Sequence, residues 1–83
     1  MYIPNLTRLA KQLESYVTID YKESTAKYKV SIHETMYRDK NSFLRLSVEG
    51  YGITLEDAAY DFIRKSRGGY LVNTKTNEEI EPL

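Results

Sequence analysis

The side chains that could perform acid–base chemistry in this sequence are few. His33 is the only histidine and cysteine is absent, which excludes a cysteine nucleophile and a thiolate metal site. A catalytic histidine needs a second group that orients it or shares its proton. No second histidine and no cysteine is available to partner His33. Strand alternation places His33 on an outward face and Glu34 on the opposite face, so Glu34 is not expected to partner it either. We therefore expect no enzyme, no catalytic residue and no cofactor.

The acidic side chains are spaced for structural roles. Glu56 and Asp57 are sequence neighbours and do not share a helix face. Asp57 and Asp61 are four residues apart and could hold a cation weakly on one helix face. Arg64 and Lys65 follow closely enough to neutralise them, which favours ion pairs over a metal site. We expect no metal site.

Gly50-Tyr51-Gly52 precedes a helix and could cradle an anion at its N-terminus. A dinucleotide-binding fingerprint would need a third glycine and a βαβ unit, and the sequence has neither. A tight turn that ends a strand is the favoured interpretation. Thr54 is the predicted N-cap of the helix that follows, and Asp57 lies three residues later. Gly68-Gly69 is predicted to end this helix.

The elements that position these residues follow from hydrophobic periodicity. Helical spacing predicts a first helix over Asn5–Ser15, with Asn5 as a candidate N-cap. Alternation predicts strands over 16–23, from Lys27 to about Tyr37, and over 42–49. A β-bulge is expected to reset the second strand between Glu34 and Tyr37. The residues predicted to face inward are Val17, Ile19, Tyr21, Tyr28, Val30, Ile32, Leu44, Leu46 and Val48.

This order predicts an α+β fold, a two-layer sandwich in the order α-β-β-β-α-β. Two helices would cover one face of an antiparallel three-stranded meander, with a short fourth strand at residues 70–72. We expect one domain over residues 1–83. Residues 70–83 would form that short strand and then either a return strand around Ile80 or a loose tail.

The composition favours a cytoplasmic protein. No apolar run is long enough to span a membrane, and the N-terminus lacks the order of a signal peptide. A small secreted domain would normally contain disulfides, which a chain without cysteine cannot form. Lys and Arg total 12 and so do Asp and Glu, whereas nucleic-acid-binding domains usually carry a positive excess. Eight tyrosines suit both strands and binding surfaces.

Residues 50–59, with the sequence GYGITLEDAA, resemble part of a known domain. The stretch is similar to the end of the partial RNA-binding-like domain of HicB-type antitoxins, where a strand leads through a Gly-containing turn into a Thr-Leu-Glu-Glu-Ala-type helix start. The order of elements also resembles the double-stranded-RNA-binding domain. The likeness covers about half the chain, Tyr28 to Arg67, and implies an α-β-β-β-α fold with a toxin-blocking or RNA-binding role. Glu56 and Asp57 stand where the RNA-binding domains have a lysine-rich helix start.

The sheet face opposite the helices is the predicted binding surface. Basic residues beside an exposed aromatic can contact an acidic protein surface or stack with single-stranded nucleic acid. The predicted partner-binding residues are Lys22, Lys27, Lys29, His33, Phe43 and Arg45. We expect a non-enzymatic protein-interaction module, a small accessory or inhibitor protein of bacterial or phage type. The alternative is a nucleic-acid-binding protein that uses the basic face; homodimerisation stays open, and no membrane partner is expected.

Overall fold

A computed structural model describes residues 2–82 as two α-helices and seven β-strands. In chain order the elements are α1 (Ile3–Gln12), β1 (Val17–Lys22), β2 (Lys27–Ile32), β3 (Thr35–Asp39), β4 (Arg45–Ser47), β5 (Gly50–Gly52), α2 (Leu55–Ser66), β6 (Gly69–Asn73) and β7 (Glu79–Ile80). The strands pair antiparallel in two sheets, with the orders β1-β2-β5 and β4-β3-β6-β7. The α+β class is confirmed, with more strands than the sequence predicted.

The predicted second strand breaks at His33 and Glu34, where the chain passes from one sheet to the other. β2 pairs with β1 and β5, whereas β3 pairs with β4 and β6. Glu34 has a left-handed φ of 52°, which interrupts an extended strand. Its carbonyl accepts a hydrogen bond from Thr74 N at 2.8 Å, and Ser15 Oγ donates to His33 O at 2.6 Å. The expected bulge is therefore a complete break between two strands.

Gly50 and Gly52 lie within β5 and not in a tight turn, although the strand does end at Gly52, before α2, as the sequence predicts. Gly50 pairs with Val30 of β2, and Gly52 pairs with Tyr28. A Cβ at Gly50 would lie 2.1 Å from Ala58 O, and a Cβ at Gly52 would lie 2.5 Å from Ala58 N. Glycine is required at both positions because the backbone of α2 packs directly on β5. Within the predicted strand over 42–49, only Arg45–Ser47 forms a strand, which is β4. β5 begins at Gly50, beyond the predicted end.

α2 begins as the sequence predicts. Thr54 is its N-cap, and the Thr54 hydroxyl accepts a hydrogen bond from Asp57 N at 3.1 Å. The helix continues to Ser66, whose hydroxyl donates to Phe62 O at 2.8 Å. The chain then turns through Gly68, with a φ of 85°, and enters β6.

α1 begins earlier than predicted, and Asn5 is not its N-cap. Tyr2 holds the N-cap position without a side-chain hydrogen bond, and Pro4 lies in the first turn. The Tyr2 amide donates to the Glu56 carboxylate, and the Tyr2 and Tyr60 rings meet edge to face at 4.8 Å. These contacts join the start of α1 to α2 and take the place of a side-chain cap.

Both helices contribute to one hydrophobic core on a common side of the sheets. The core residues include Leu6, Leu9, Leu13, Val30, Ile32, Val48, Ala58, Ala59, Phe62 and Leu71. Because side chains alternate along a strand, Lys29 and Ser31 of β2 face away from the helices. The predicted inward face of β2 is therefore confirmed at Val30 and Ile32, while Tyr28 is partly buried.

Four residues predicted to face the core are exposed instead, namely Ile19, Tyr21, Leu44 and Leu46. Leu46 pairs with Tyr37, which pairs with Leu71, so Leu46 does lie on the inner face of its sheet. α2 packs mainly on β5 and β2 and leaves β4 largely uncovered. The predicted alternation is right for Leu46, and the absence of a covering helix explains its exposure.

The C-terminal segment forms two strands. The predicted strand over 70–72 is β6, and the return strand around Ile80 forms as β7, with Ile80 paired to Leu71. Neither helix within residues 2–82 has the length and apolarity needed to cross a lipid bilayer.

Candidate interaction surfaces

Three of the predicted binding residues, Lys22, Lys27 and Lys29, meet on the sheet face opposite the helices. The β1–β2 register places Lys22 opposite Lys27 and Asp20 opposite Lys29. Tyr51 of β5 pairs with Lys29 on the other side. Together these side chains border a pocket of about 330 Å³. We call the three lysines the lysine face.

Lys29 is neutralised within the lysine face. Its ammonium lies 3.4 Å from Glu49 Oε2 and 4.0 Å from Asp20 Oδ2. The Tyr51 hydroxyl donates to Glu49 Oε1 at 2.9 Å. This hydrogen bond from Tyr51, together with the one from Lys29, lowers the pKa of Glu49, while the bond to Glu49 raises the pKa of Lys29. Lys29 is therefore a poor anchor for an external anion.

Lys22 and Lys27 differ from Lys29 in their surroundings. Within residues 2–82, no carboxylate forms an ion pair with either ammonium group. Like charges directly opposite each other on adjacent strands destabilise a sheet. The pair is thus the part of the lysine face with unneutralised positive charge.

His33 lies apart from the lysine face, beyond the end of β2. Its ring stacks on Tyr16 with centroids 4.7 Å apart, and its Nε2 is 3.4 Å from Glu34 Oε1. The prediction that Glu34 points to the opposite face is wrong, because the left-handed backbone of Glu34 interrupts the alternation. His33 and Glu34 border a second pocket, of about 390 Å³, with Lys75. Within residues 2–82, no three acidic or histidine side chains gather to hold a metal.

Phe43 and Arg45 lie in the hairpin formed by β3 and β4 of the second sheet, Phe43 in its loop and Arg45 at the start of β4. Arg45 Nη2 donates to Asn77 Oδ1 at 3.2 Å. Phe43 precedes β4 and is 96% exposed. The six predicted residues therefore occupy three places, namely the lysine face, the His33 pocket and this hairpin.

The hairpin exposes two further apolar residues that sequence reasoning placed in the core. Leu44 is 72% exposed and Leu46 is 58% exposed. We call Phe43, Leu44 and Leu46 the apolar hairpin. The sequence did contain a signal for this exposed patch, namely three large apolar residues within four positions after a polar turn. Strand alternation nevertheless assigned Leu44 and Leu46 to the interior.

Arg38 holds the base of the apolar hairpin in place. Its guanidinium donates to both carboxylate oxygens of Glu79, at 2.8 and 2.9 Å, and to Ser42 O at 3.0 Å. It also lies over the Tyr70 ring, 4.7 Å from the centroid. The hydrogen bond from Arg38 lowers the pKa of Glu79. Lys40 adds an ion pair to Glu81 at 2.6 Å, so the strands bearing the hairpin are tied to the C-terminal segment.

The outer edge of β5 is closed by side chains of α2. Asp61 Oδ2 accepts a hydrogen bond from Tyr51 N at 2.9 Å, and Lys65 Nζ donates to Glu49 O at 3.1 Å. Asp61 also pairs with Lys65 at 2.8 Å and with Arg64 at 2.6 Å, as the sequence predicted for this carboxylate. Burial acts to raise the pKa of Asp61, but these hydrogen bonds outweigh it and lower the pKa.

No protein-family model, no curated protein and no solved structure matches this chain. The resemblance to HicB-type antitoxins and to double-stranded-RNA-binding domains thus stays a prediction from residues 50–59 and from the order of elements.

Proposed function

We propose that this protein is a non-enzymatic protein-binding module that contacts its partner through the apolar hairpin. The exposure of Phe43, Leu44 and Leu46 on one hairpin carries the proposal. Single exposed apolar residues are common on protein surfaces, whereas three that adjoin form a patch typical of an interaction site. A small accessory or inhibitor protein acts by such surface contacts alone.

The energetics favour a binding role for these side chains. Fully burying a Leu or Phe side chain contributes roughly 1.5–3 kcal/mol. Phe43 stands almost wholly in solvent, so nearly all of that contribution is available on binding. Residues that dominate protein interfaces are typically large side chains that enter a pocket at the centre of the contact. Phe43 is the side chain of the hairpin best placed to do so.

The hairpin base is held before any partner binds. Arg38 joins Glu79 of β7 to the carbonyl of Ser42, and Leu44 N donates to Ser42 Oγ at 3.0 Å. A loop that is ordered in the free protein loses less conformational entropy on binding. The Arg38–Glu79 pair therefore supports affinity without touching the partner.

Charge distribution favours a protein partner over nucleic acid. At least five of the twelve Lys and Arg side chains are already paired with carboxylates, namely Lys29, Arg38, Lys40, Arg64 and Lys65. Nucleic-acid affinity depends mainly on cations that can replace the counterions around phosphates. Internal pairing reduces the number of cations available for that exchange.

The test uses site-specific photocrosslinking followed by a binding measurement. A photoreactive phenylalanine analogue at position 43 should capture a discrete protein from a lysate of the source organism. The same analogue at Ile53, which is equally apolar and well exposed but lies outside the hairpin, is the matched control. The captured protein, once purified, should bind the double variant Phe43→Ala/Leu44→Ala at least tenfold more weakly than wild type and bind Ile53→Ala normally. Equal binding by wild type and the double variant would refute the proposed contact.

A nucleic-acid-binding role is the second candidate, and the Lys22–Lys27 pair favours it. Both ammonium groups adjoin a pocket that also contains the half-exposed Tyr51 ring, on which a base could stack. Fluorescence anisotropy with a single-stranded oligonucleotide at low salt tests this role. A nucleic-acid-binding role requires an affinity that falls steeply as the salt concentration rises. The affinity should also drop in Lys27→Glu but not in Lys75→Glu, which makes the same charge change away from the lysine face. No binding at low salt would exclude it.

A further inference from the structure

The two edges of the β1-β2-β5 sheet differ in how their backbone groups are satisfied. At the β5 edge, Asp61 accepts from the Tyr51 amide and Lys65 donates to the Glu49 carbonyl. An incoming strand would have to displace both side chains. No strand within residues 2–82 pairs with the outer side of β1, which leaves that edge open to a further strand. Exposed edges of this kind are templates for pairing with another chain.

The phase of the β1–β2 ladder identifies the backbone groups that face outward. His33 N donates to Tyr16 O at 2.9 Å, so residue 16 directs its N–H and C=O toward the neighbouring strand. The same holds for every second residue along β1, at positions 18, 20 and 22. Val17, Ile19 and Tyr21 consequently direct their amide and carbonyl groups toward the open edge.

The same three residues carry the apolar side chains of β1. Ile19 is 50% exposed and Tyr21 is 52% exposed, although both lie on the inner face, where Ile19 pairs with Val30 and Tyr21 with Tyr28. The helices cover Val30 but leave the outermost strand partly bare. The open edge therefore presents unpaired backbone groups and half-exposed apolar side chains along one line.

We propose that a second copy of this chain pairs with this edge, β1 antiparallel to β1, about a two-fold axis at Ile19. The axis stands perpendicular to the sheet, so the inner faces of both copies lie on one side. In this register Ile19 is opposite its own counterpart, and Val17 is opposite Tyr21 twice. On the other face, Thr18 is opposite Asp20 twice. The product is a continuous sheet in the order β5-β2-β1-β1-β2-β5.

Side-chain complementarity selects this register and a second copy as the occupant. Val17 beside Tyr21 is a favourable pair of a β-branched and an aromatic side chain, and the Thr18 hydroxyl can donate to the Asp20 carboxylate. Moving the axis to Asp20 would place two carboxylates directly opposite each other. Moving it to Tyr21 would carry the pairing beyond the end of β1. With the axis at Ile19, every residue from Val17 to Tyr21 has a compatible partner.

Charge substitution at the axis provides a sharp test by sedimentation velocity. Wild type should show twice the chain mass of 9.7 kDa at high micromolar concentration. Ile19→Lys and Ile19→Glu should each be monomeric, because each variant places two like charges opposite each other. An equimolar mixture of the two variants should recover the dimer through a Lys–Glu pair. Ile53→Lys, with the same change at an exposed residue off this edge, should remain dimeric.

Disulfide trapping tests the register directly, because the chain has no native cysteine. Residues in a hydrogen-bonded antiparallel pair have Cα atoms about 5.5 Å apart, within the range that a disulfide spans. Ile19→Cys should form a covalent dimer under mild oxidation at least tenfold faster than Ile53→Cys. A wild type that is monomeric at millimolar concentration would overturn the proposal, and so would equal crosslinking rates. Phe43→Ala should leave the dimer intact, so the result is independent of the hairpin as a partner contact.

Discussion

The amide of Tyr51 donates to the carboxylate of Asp61 across 2.9 Å, which places a helix side chain where a neighbouring strand would otherwise bond. Asp61 is also paired with Lys65 and Arg64. One largely buried carboxylate thus joins the middle of α2 to β5 and closes one edge of the sheet.

Removing this carboxylate should destabilise the fold. We expect Asp61→Ala to lower the free energy of unfolding by about 1.5–3 kcal/mol, the usual contribution of hydrogen bonds to a charged group. Urea denaturation monitored by circular dichroism measures the change. Asp39→Ala, at an exposed residue, is the control and should change stability by less than about 0.5 kcal/mol. An equal loss in both variants would show that the closed edge contributes little.

Stability should decrease in acid because three carboxylates have lowered pKa values. Hydrogen bonds from Tyr51 and Arg38 lower the pKa values of Glu49 and Glu79 below those of an ordinary glutamate, and the hydrogen bonds to Asp61 outweigh its burial and lower its pKa below that of an ordinary aspartate. The folded state therefore binds these protons more weakly than the unfolded chain does. Their stabilisation is complete above the unfolded pKa values and is lost as pH falls through the folded ones.

Urea midpoints measured over a pH series should consequently be flat near neutrality and fall below about pH 5. Asp61→Asn removes one of the three titrating groups, so its midpoint should fall less steeply over the same range. A wild-type midpoint that rises on acidification would contradict the assigned direction of the shifts.

Glycine at position 50 should be indispensable. A Cβ there would lie 2.1 Å from Ala58 O and 2.6 Å from Phe62 N, both backbone atoms of α2. We expect Gly50→Ala to cost more than about 4 kcal/mol or to prevent folding, the outcome typical of severe core mutations. A Cβ at Gly68 would meet no atom within 4 Å, so only the φ of +85° disfavours alanine at this position. The cost of Gly68→Ala should be about 1–2 kcal/mol, and thermal unfolding of both variants checks the contrast.

Replacing Asn73 should lower the free energy of unfolding more than replacing any other polar residue outside the helices. Its buried side chain donates to Leu13 O at 2.6 Å and accepts from Lys75 N at 2.8 Å and Thr76 N at 3.2 Å. Asn73→Ala leaves these groups without partners and should cost about 2–4 kcal/mol, at roughly 1 kcal/mol per bond plus the buried groups left unsatisfied. Asn41→Ala, at an exposed turn residue, should be nearly neutral in the same urea measurement. Similar stability of both variants would contradict this.

Reversing one charge of the Lys22–Lys27 pair should stabilise the sheet. The two residues are directly opposite, and no carboxylate of residues 2–82 pairs with either. We expect Lys27→Glu to raise the free energy of unfolding by about 0.2–1 kcal/mol, the range for favourable cross-strand pairs. Lys75→Glu is the matched charge change without a lysine opposite it. The gain should shrink at high salt, and a loss of stability at low salt would refute the repulsion.

Local sequence patterns determined the elements whose signals lie within a few residues. Thr54 and Asp57 fixed the start of α2, because a side-chain cap and an acidic first turn stabilise a helix end locally. Alternation identified the buried Val30 and Ile32. The sequence left β7 open between a return strand around Ile80 and a loose tail, because its pairing partner Leu71 belongs to another strand.

Only the part of the candidate site that depends on local sequence patterns could be predicted. The sequence grouped Lys22, Lys27 and Lys29 correctly on one strand face, since alternation is a local property. It could not separate Phe43 from that face, because the break at Glu34 depends on hydrogen bonds that the Glu34 carbonyl accepts from the amide and hydroxyl of Thr74, which is distant in sequence.

What the sequence by itself determined is the α+β class, the capped second helix and the inward face of β2. Only the tertiary structure decided which inward-facing residues are covered. Leu46 and Ile19 obey the alternation yet remain exposed, because α2 sits over β5 and β2, where Gly50 and Gly52 let its backbone approach. Periodicity fixes the direction of a side chain, whereas burial depends on where a distant helix comes to rest.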